Sequence, residues 1–121
     1  MDSRTQRVYD TAKAAARNAT TIPYSVVASE IGLDMQNPVH RNELTAMLDE
    51  ISRAEHAHHR PMLSAVVVHM DDLRPGQGFF TLAQELGRFD GADREAFYIA
   101  ELKRVHAAWR GCLTGRQNRS C

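Results

Sequence analysis

The stretch Met62-Leu-Ser-Ala-Val-Val-Val-His-Met70 restricts the fold more than any other part of the chain. It is short, almost free of polar side chains and rich in β-branched ones, which suits a buried strand and not a helix. Elsewhere the apolar residues recur at helical spacing. The expectation is therefore a mainly α domain with a small β element.

Ser3 is expected to cap a first helix reaching Asn18, with Val8, Ala12, Ala15, Ala16 and Ala19 on one face. Thr20-Thr21-Ile22-Pro23 then reads as an extended link. A short helix is expected from Tyr24 to Ile31, its apolar positions being Val26, Val27, Ala28 and Ile31, with Gly32 as its stop. Asn37-Pro38 has the form of a cap followed by proline at the first helical position. It opens a long helix to about His58 with Leu44, Met47, Leu48 and Ile51 as its core stripe and Ala54 continuing it. Beyond the strand, Asp71 to Gly78 carries Pro75, Gly76 and Gly78 and reads as a turn or wing-like loop. Phe79 to Leu86 is a short helix stopped by Gly87, with Phe79 and Phe80 as core anchors. Ala92 to Arg110 is a last helix with Phe97, Tyr98, Leu102, Val105 and Trp109 on one side. Two helices joined by a turn, then a strand and a glycine-rich loop, form a winged-helix-like order with an extra helix at each end.

One domain over residues 1–111 with a tail over 112–121 follows from the length and the absence of a linker pattern. Lys plus Arg balance Asp plus Glu at 15 each, and that neutrality argues against a general polyanion binder. Cys112 and Cys121 both fall in the tail, where a disulfide would staple no core and no zinc spacing exists. Met1 to Arg7 has no apolar signal-peptide core, and no run is apolar enough for a membrane span. A reduced, cytoplasmic protein with no cofactor is expected.

Three polar sets are candidates for function. Tyr24, His40, Arg41, Asn42 and Thr45 surround the start of the long helix, where such side chains reach base edges and phosphates. Arg74, in the glycine-rich loop, joins them as a wing contact; the loop is not a P-loop, because no Gly-Lys-Ser/Thr follows it. His69 with Asp71 and Asp72 ends the strand, and a histidine with a carboxylate is the minimum acid–base pair. Against this stands a turn in which Asp71 or Asp72 bonds its own backbone. Glu55, His56, His58 and His59 are the third set. Only Glu55 with His58 or His59, and His56 with His59, have metal-ligand spacing on a helix. The alternative there is a solvated helix end whose cations complement the dipole. Lys103, Arg104, His106, Arg110, Arg116 and Arg119 form a basic run that also suits a solvated terminal helix.

The middle of the chain resembles the winged-helix domain of alkylguanine-DNA alkyltransferases and alkyltransferase-like proteins. The resemblance rests on Thr21-Ile22-Pro23-Tyr24 with the helix ending in Ile31-Gly32, on Arg41 and Ala46-Met47, and on Val67-Val68-His69-Met70 followed by Gly76-Gln77-Gly78-Phe79. It implies that fold, and it implies Tyr24 and Arg41 as DNA-touching positions. It carries no alkyl transfer: Val68 stands where the family has its nucleophilic cysteine, and Met70 where it has an arginine. The span from Met47 to Val68 is also longer than the family's. Gly78-Phe79-Phe80 with Leu86-Gly87 is further similar to a group of small bacterial proteins, which implies no activity.

Two functions follow as expectations. The first is a non-catalytic module, of bacterial or phage type, binding DNA or a DNA-handling protein. Asp49, Glu50 and Glu55 on the long helix would repel phosphate in a groove, and a protein partner tolerates them better. The second is a small metal-dependent hydrolase or nuclease using His69 and Asp71, which requires Glu55, His58 or His59 to converge with them. A homodimer pairing the alanine-rich first helix with the aromatic last one is compatible with either.

Overall fold

The computed structural model describes residues 1–110. Five α-helices and a two-stranded parallel sheet follow in the order α1 (Ser3–Arg17), β1 (Ile22–Pro23), α2 (Tyr24–Glu30), α3 (Pro38–Ala57), β2 (Val67–Val68), α4 (Gln77–Glu85) and α5 (Arg94–Arg110). A single 3-10 turn, Leu63–Val66, precedes β2. The tail, with Cys112, Cys121, Arg116 and Arg119, lies outside the described residues.

The apolar run lies at the centre. Met62, Leu63, Ala65, Val66, Val67 and Val68 are wholly buried, with α1, α3 and α5 packed around them. Burying each of the larger of these side chains contributes roughly 1.5–3 kcal/mol. The expected strand is much shorter than Met62–Met70, for a local reason. Among the described residues its one pairing partner is β1, in the register Ile22↔Val67 and Pro23↔Val68, and Pro23 has no N–H to carry the ladder further. The preceding residues wind into the 3-10 turn instead.

Helix ends mostly follow side-chain chemistry. Asn37 Oδ1 accepts the Val39 N–H at 2.9 Å, and Pro38 opens α3 as expected. The cap of α1 is Asp2, not Ser3: its carboxylate accepts the Thr5 N–H at 2.8 Å, and this bond holds the Asp2 pKa below the usual range. All of α1–α4 end on a residue with positive φ. Gly32 and Gly87 fill that place after α2 and α4, Ala19 and His59 after α1 and α3.

Ala12, Ala15 and Ala16 of α1 and Tyr98, Val105 and Trp109 of α5 are buried within the one chain. The faces expected to pair across a two-fold axis are therefore already covered, by each other and by the core. Val26, expected on the apolar face of α2, is exposed, whereas Val27 and Ala28 are buried. Phe79 and Phe80 are buried as expected, and they diverge: Phe79 meets Phe97 and Tyr98, while Phe80 meets Phe89.

Two carboxylates lie inside this core. Glu101 of α5 is 0 % exposed. It accepts the Met62 N–H at 2.9 Å, Arg88 at 3.2 Å and Arg104 at 2.6 Å. Glu55 of α3 is 1 % exposed and accepts the Tyr9 hydroxyl at 2.7 Å and Arg60 Nε at 2.5 Å. Burial, then the bond to Glu55, pushes the Tyr9 phenol up to about 12. Arg88 also donates to His56 Nδ1 at 3.0 Å and to the Arg60 carbonyl at 2.6 Å, tying both carboxylate sites into one network. No described helix is long and apolar enough to cross a membrane.

Candidate functional site

The start of α3 faces the start of α4 across a cleft of about 560 Å³. Its apolar floor comes from Leu44 and Leu48 of α3 and from Phe79 of α4. Residues one turn apart on α3 (Arg41, Thr45, Asp49), together with Asn42, form one wall. Tyr24 and Ser25 open α2 on a second side, and His69 to Asp71 supply a third.

The glycine-rich loop closes the cleft by direct contact. The Gly76 N–H donates to the Tyr24 hydroxyl at 3.0 Å. A Cβ on Gly76 would stand 3.3 Å from His69 Nε2, and one on Gly78 would stand 3.3 Å from Thr45 Cγ2. At both glycines an added methyl group would make its neighbour give by a few tenths of an ångström, and at Gly76 this close approach is the constraint, since its backbone is ordinary and extended. The Tyr24 and His69 rings lie 4.7 Å apart at 41°. Burial raises the Tyr24 pKa against the opposing bond from Gly76, and the charges of Asp49 and Asp72 raise it further. Between His69 and Arg74 the chain makes a tight turn, with His69 N–H donating to the Arg74 carbonyl and Leu73 N–H to the His69 carbonyl, both at 2.9 Å. Leu73 takes φ 57° there, a strained value for a leucine.

Of the set expected at the helix start, Tyr24, Arg41, Asn42 and Thr45 line the cleft together. His40 and Arg74 do not. His40 Nδ1 accepts the Asp34 N–H at 2.9 Å and braces the turn before α3. Arg74 is bound to Glu95 by a two-pronged ion pair, one arm of which is 2.8 Å, and it lies over the Tyr98 ring. Arg41 donates from one guanidinium nitrogen to the Met35 carbonyl at 2.8 Å and is otherwise exposed.

His69 and Asp71 line the same cleft, but Glu55, His58 and His59 do not. Glu55 is held by Tyr9 and Arg60, whereas His58 and His59 are exposed. His58 Nδ1 bonds the Ala54 carbonyl, and His59 supplies the left-handed residue that ends α3. The convergence that a metal-dependent enzyme required is not there. No cluster of His, Cys, Asp or Glu able to hold a metal occurs among the described residues. The solvated-end alternative fails for Glu55 as well, since that carboxylate is buried. Asp72 Oδ1 accepts the Arg74 N–H, the local turn bond expected of an aspartate here.

Asp49 is the residue that sequence reasoning underused. In the sequence it stood only as one of three acidic residues that would repel phosphate, yet it follows Arg41 and Thr45 at four-residue steps and so shares their wall. Burial raises its pKa more than Arg53 lowers it, and Glu85 adds to the rise. Arg53 is itself paired with Glu85 at 2.7 Å. The position that the resemblance assigns to a nucleophile, Val68, is wholly buried in β2. Comparison with protein families, with curated proteins and with solved structures returned no match.

Proposed function

We propose that this protein is a non-catalytic binding module whose recognition surface is the cleft between α2, α3 and α4, and whose target is a protein that handles DNA. The observation that carries the reading is the convergence of Tyr24, Arg41, Asn42 and Thr45 on one apolar-floored cavity. Its volume lies within the roughly 300–1,000 Å³ usual for ligand pockets. The order α2, turn, α3, β2 and loop supports a winged-helix-like arrangement related to that of the alkyltransferase-like proteins, with Met70–Gly76 in the place of a wing. A cytoplasmic location belongs to the same proposal.

A protein target is favoured over DNA itself by how the cations are used. Arg4, Arg7, Arg53, Arg60, Arg74 and Arg88 each pair with a carboxylate of the same chain. Phosphate binding draws on uncompensated positive charge. Among the described residues, Arg41 is the one Lys or Arg that lines the cleft, beside Asp49 and Asp71. Direct DNA contact is the second reading, favoured by the placement of Arg41 and Asn42 near the N-terminal end of α3.

Affinity capture with the full chain beside a Tyr24→Ala, Arg41→Ala variant tests the first reading, and anisotropy with single- and double-stranded DNA at two salt concentrations tests the second. Retention of a DNA-processing protein by the wild type, lost in the variant, is the expected result. A captured set that the variant leaves unchanged would overturn it. Salt-sensitive DNA binding that the variant loses would transfer the function to DNA.

A further inference from the structure

The cleft has an unusual internal balance of charge for a site meant to receive an anion. Its walls hold two carboxylates, Asp49 and Asp71, against one guanidinium, Arg41. Arg41 is exposed and turned in part to the Met35 carbonyl. Asp49 is half-buried, and among the described residues it has neither a salt bridge nor a side-chain hydrogen bond; the nearby cation, Arg53, is engaged by Glu85. A carboxylate drawn from water beside an apolar floor without a partner is costly, and a cation arriving from outside would offset that cost.

We propose that the cleft is a receptor for an arginine side chain of the partner protein, with the guanidinium meeting Asp49 and the aliphatic stem lying on Leu44, Leu48 and Phe79. The inference deepens the module reading and rests on it. Arginine fits better than lysine because Tyr24 and His69 offer a pair of aromatic rings in the same cleft. A planar guanidinium stacks on such rings while its fork bonds a carboxylate, which an ammonium cannot do. The stem needs an apolar surface, and the floor supplies one. A phosphate or carboxylate ligand would instead meet two like charges.

The test is a titration of the full ¹⁵N-labelled chain with N-acetyl-arginine amide, with its citrulline counterpart as the neutral isostere. The arginine probe is expected to shift the amides of Thr45, Gly76, Gln77 and Gly78, and to bind about tenfold more tightly than the citrulline probe. Asp49→Asn is expected to abolish that preference, and its amide spectrum reports that the fold is retained. Asp71→Asn serves as a second variant and is expected to weaken the preference. Equal binding of both probes in the cleft would overturn the arginine assignment while leaving the cleft a binding site. Absence of any cleft shift, with partner capture still sensitive to the Tyr24 and Arg41 variant, would overturn it too. Absence of both effects would end the module reading as well.

Discussion

Burial makes the Asp49 carboxyl harder to ionise in the folded chain than in the unfolded one. A raised folded pKa means that its contribution to stability is present below the unfolded value and lost as pH rises through the folded one. Asp49→Asn, which removes the charge, should therefore match the wild type near pH 3 and become the more stable of the two toward pH 7, as read by urea unfolding at both pH values. A variant less stable at neutral pH would mean that the carboxylate has an unseen partner. Gly76 gives a second residue-scale expectation. Gly76→Ala places a methyl group 3.3 Å from His69 Nε2, so the histidine ring must give by a few tenths of an ångström. The variant should fold, lose a few tenths to about 1 kcal/mol, and show displaced His69 ring resonances. Unmoved His69 resonances would refute the close packing of loop on ring.

Helix ends divide cleanly into those that could be foreseen and those that could not. Asn37-Pro38, Gly32 and Gly87 announce themselves because each residue type suits only a few backbone positions. Ala19 and His59 occupy the same left-handed position without the usual residue, so nothing in their identity marked them. His59→Gly should stabilise the chain by roughly 0.5–1 kcal/mol, the relief of a left-handed Cβ less the added freedom of the unfolded chain. Thermal unfolding followed at Trp109 checks it, and a lower midpoint would contradict it. The apolar run Met62–Met70 was recognisable as buried but not as mainly a 3-10 turn, because its partner strand is only two residues long and ends in proline. The buried carboxylates were illegible for a different reason. Glu55 and Glu101 stand at helical spacing among apolar residues; Arg104 lies one turn along α5 from Glu101, but Arg60 reaches Glu55 from beyond the end of α3 and Arg88 reaches Glu101 from the segment before α5. Glu101→Ala leaves two arginines and the Met62 N–H without their acceptor and should cost about 3–5 kcal/mol in urea unfolding. A loss below 1 kcal/mol would show that the network is not what joins α5 to the central segment.

Across the described residues, more than half of the Lys and Arg side chains are matched to a carboxylate of the same chain. A helix start with residues suited to DNA therefore sits on a surface where much of the positive charge is already paired. Of the candidate site, the helical wall was readable from spacing alone, since Arg41, Thr45 and Asp49 recur at one turn. Tyr24, His69 and Gly76 could not be joined to it, because their meeting depends on the loop folding back across the chain. Both functional expectations used residues of this one cleft, and His40, Arg74 and the metal cluster failed to join it. The direct measurement of the cleft's role is to block it. Asn42 is exposed on α3 and lines the cleft, so Asn42→Trp places an indole at its mouth without disturbing a buried contact. Titrated with N-acetyl-arginine amide and used in partner capture, this variant should retain the wild-type fold and lose both interactions. Undiminished binding by the blocked protein would place recognition on another surface.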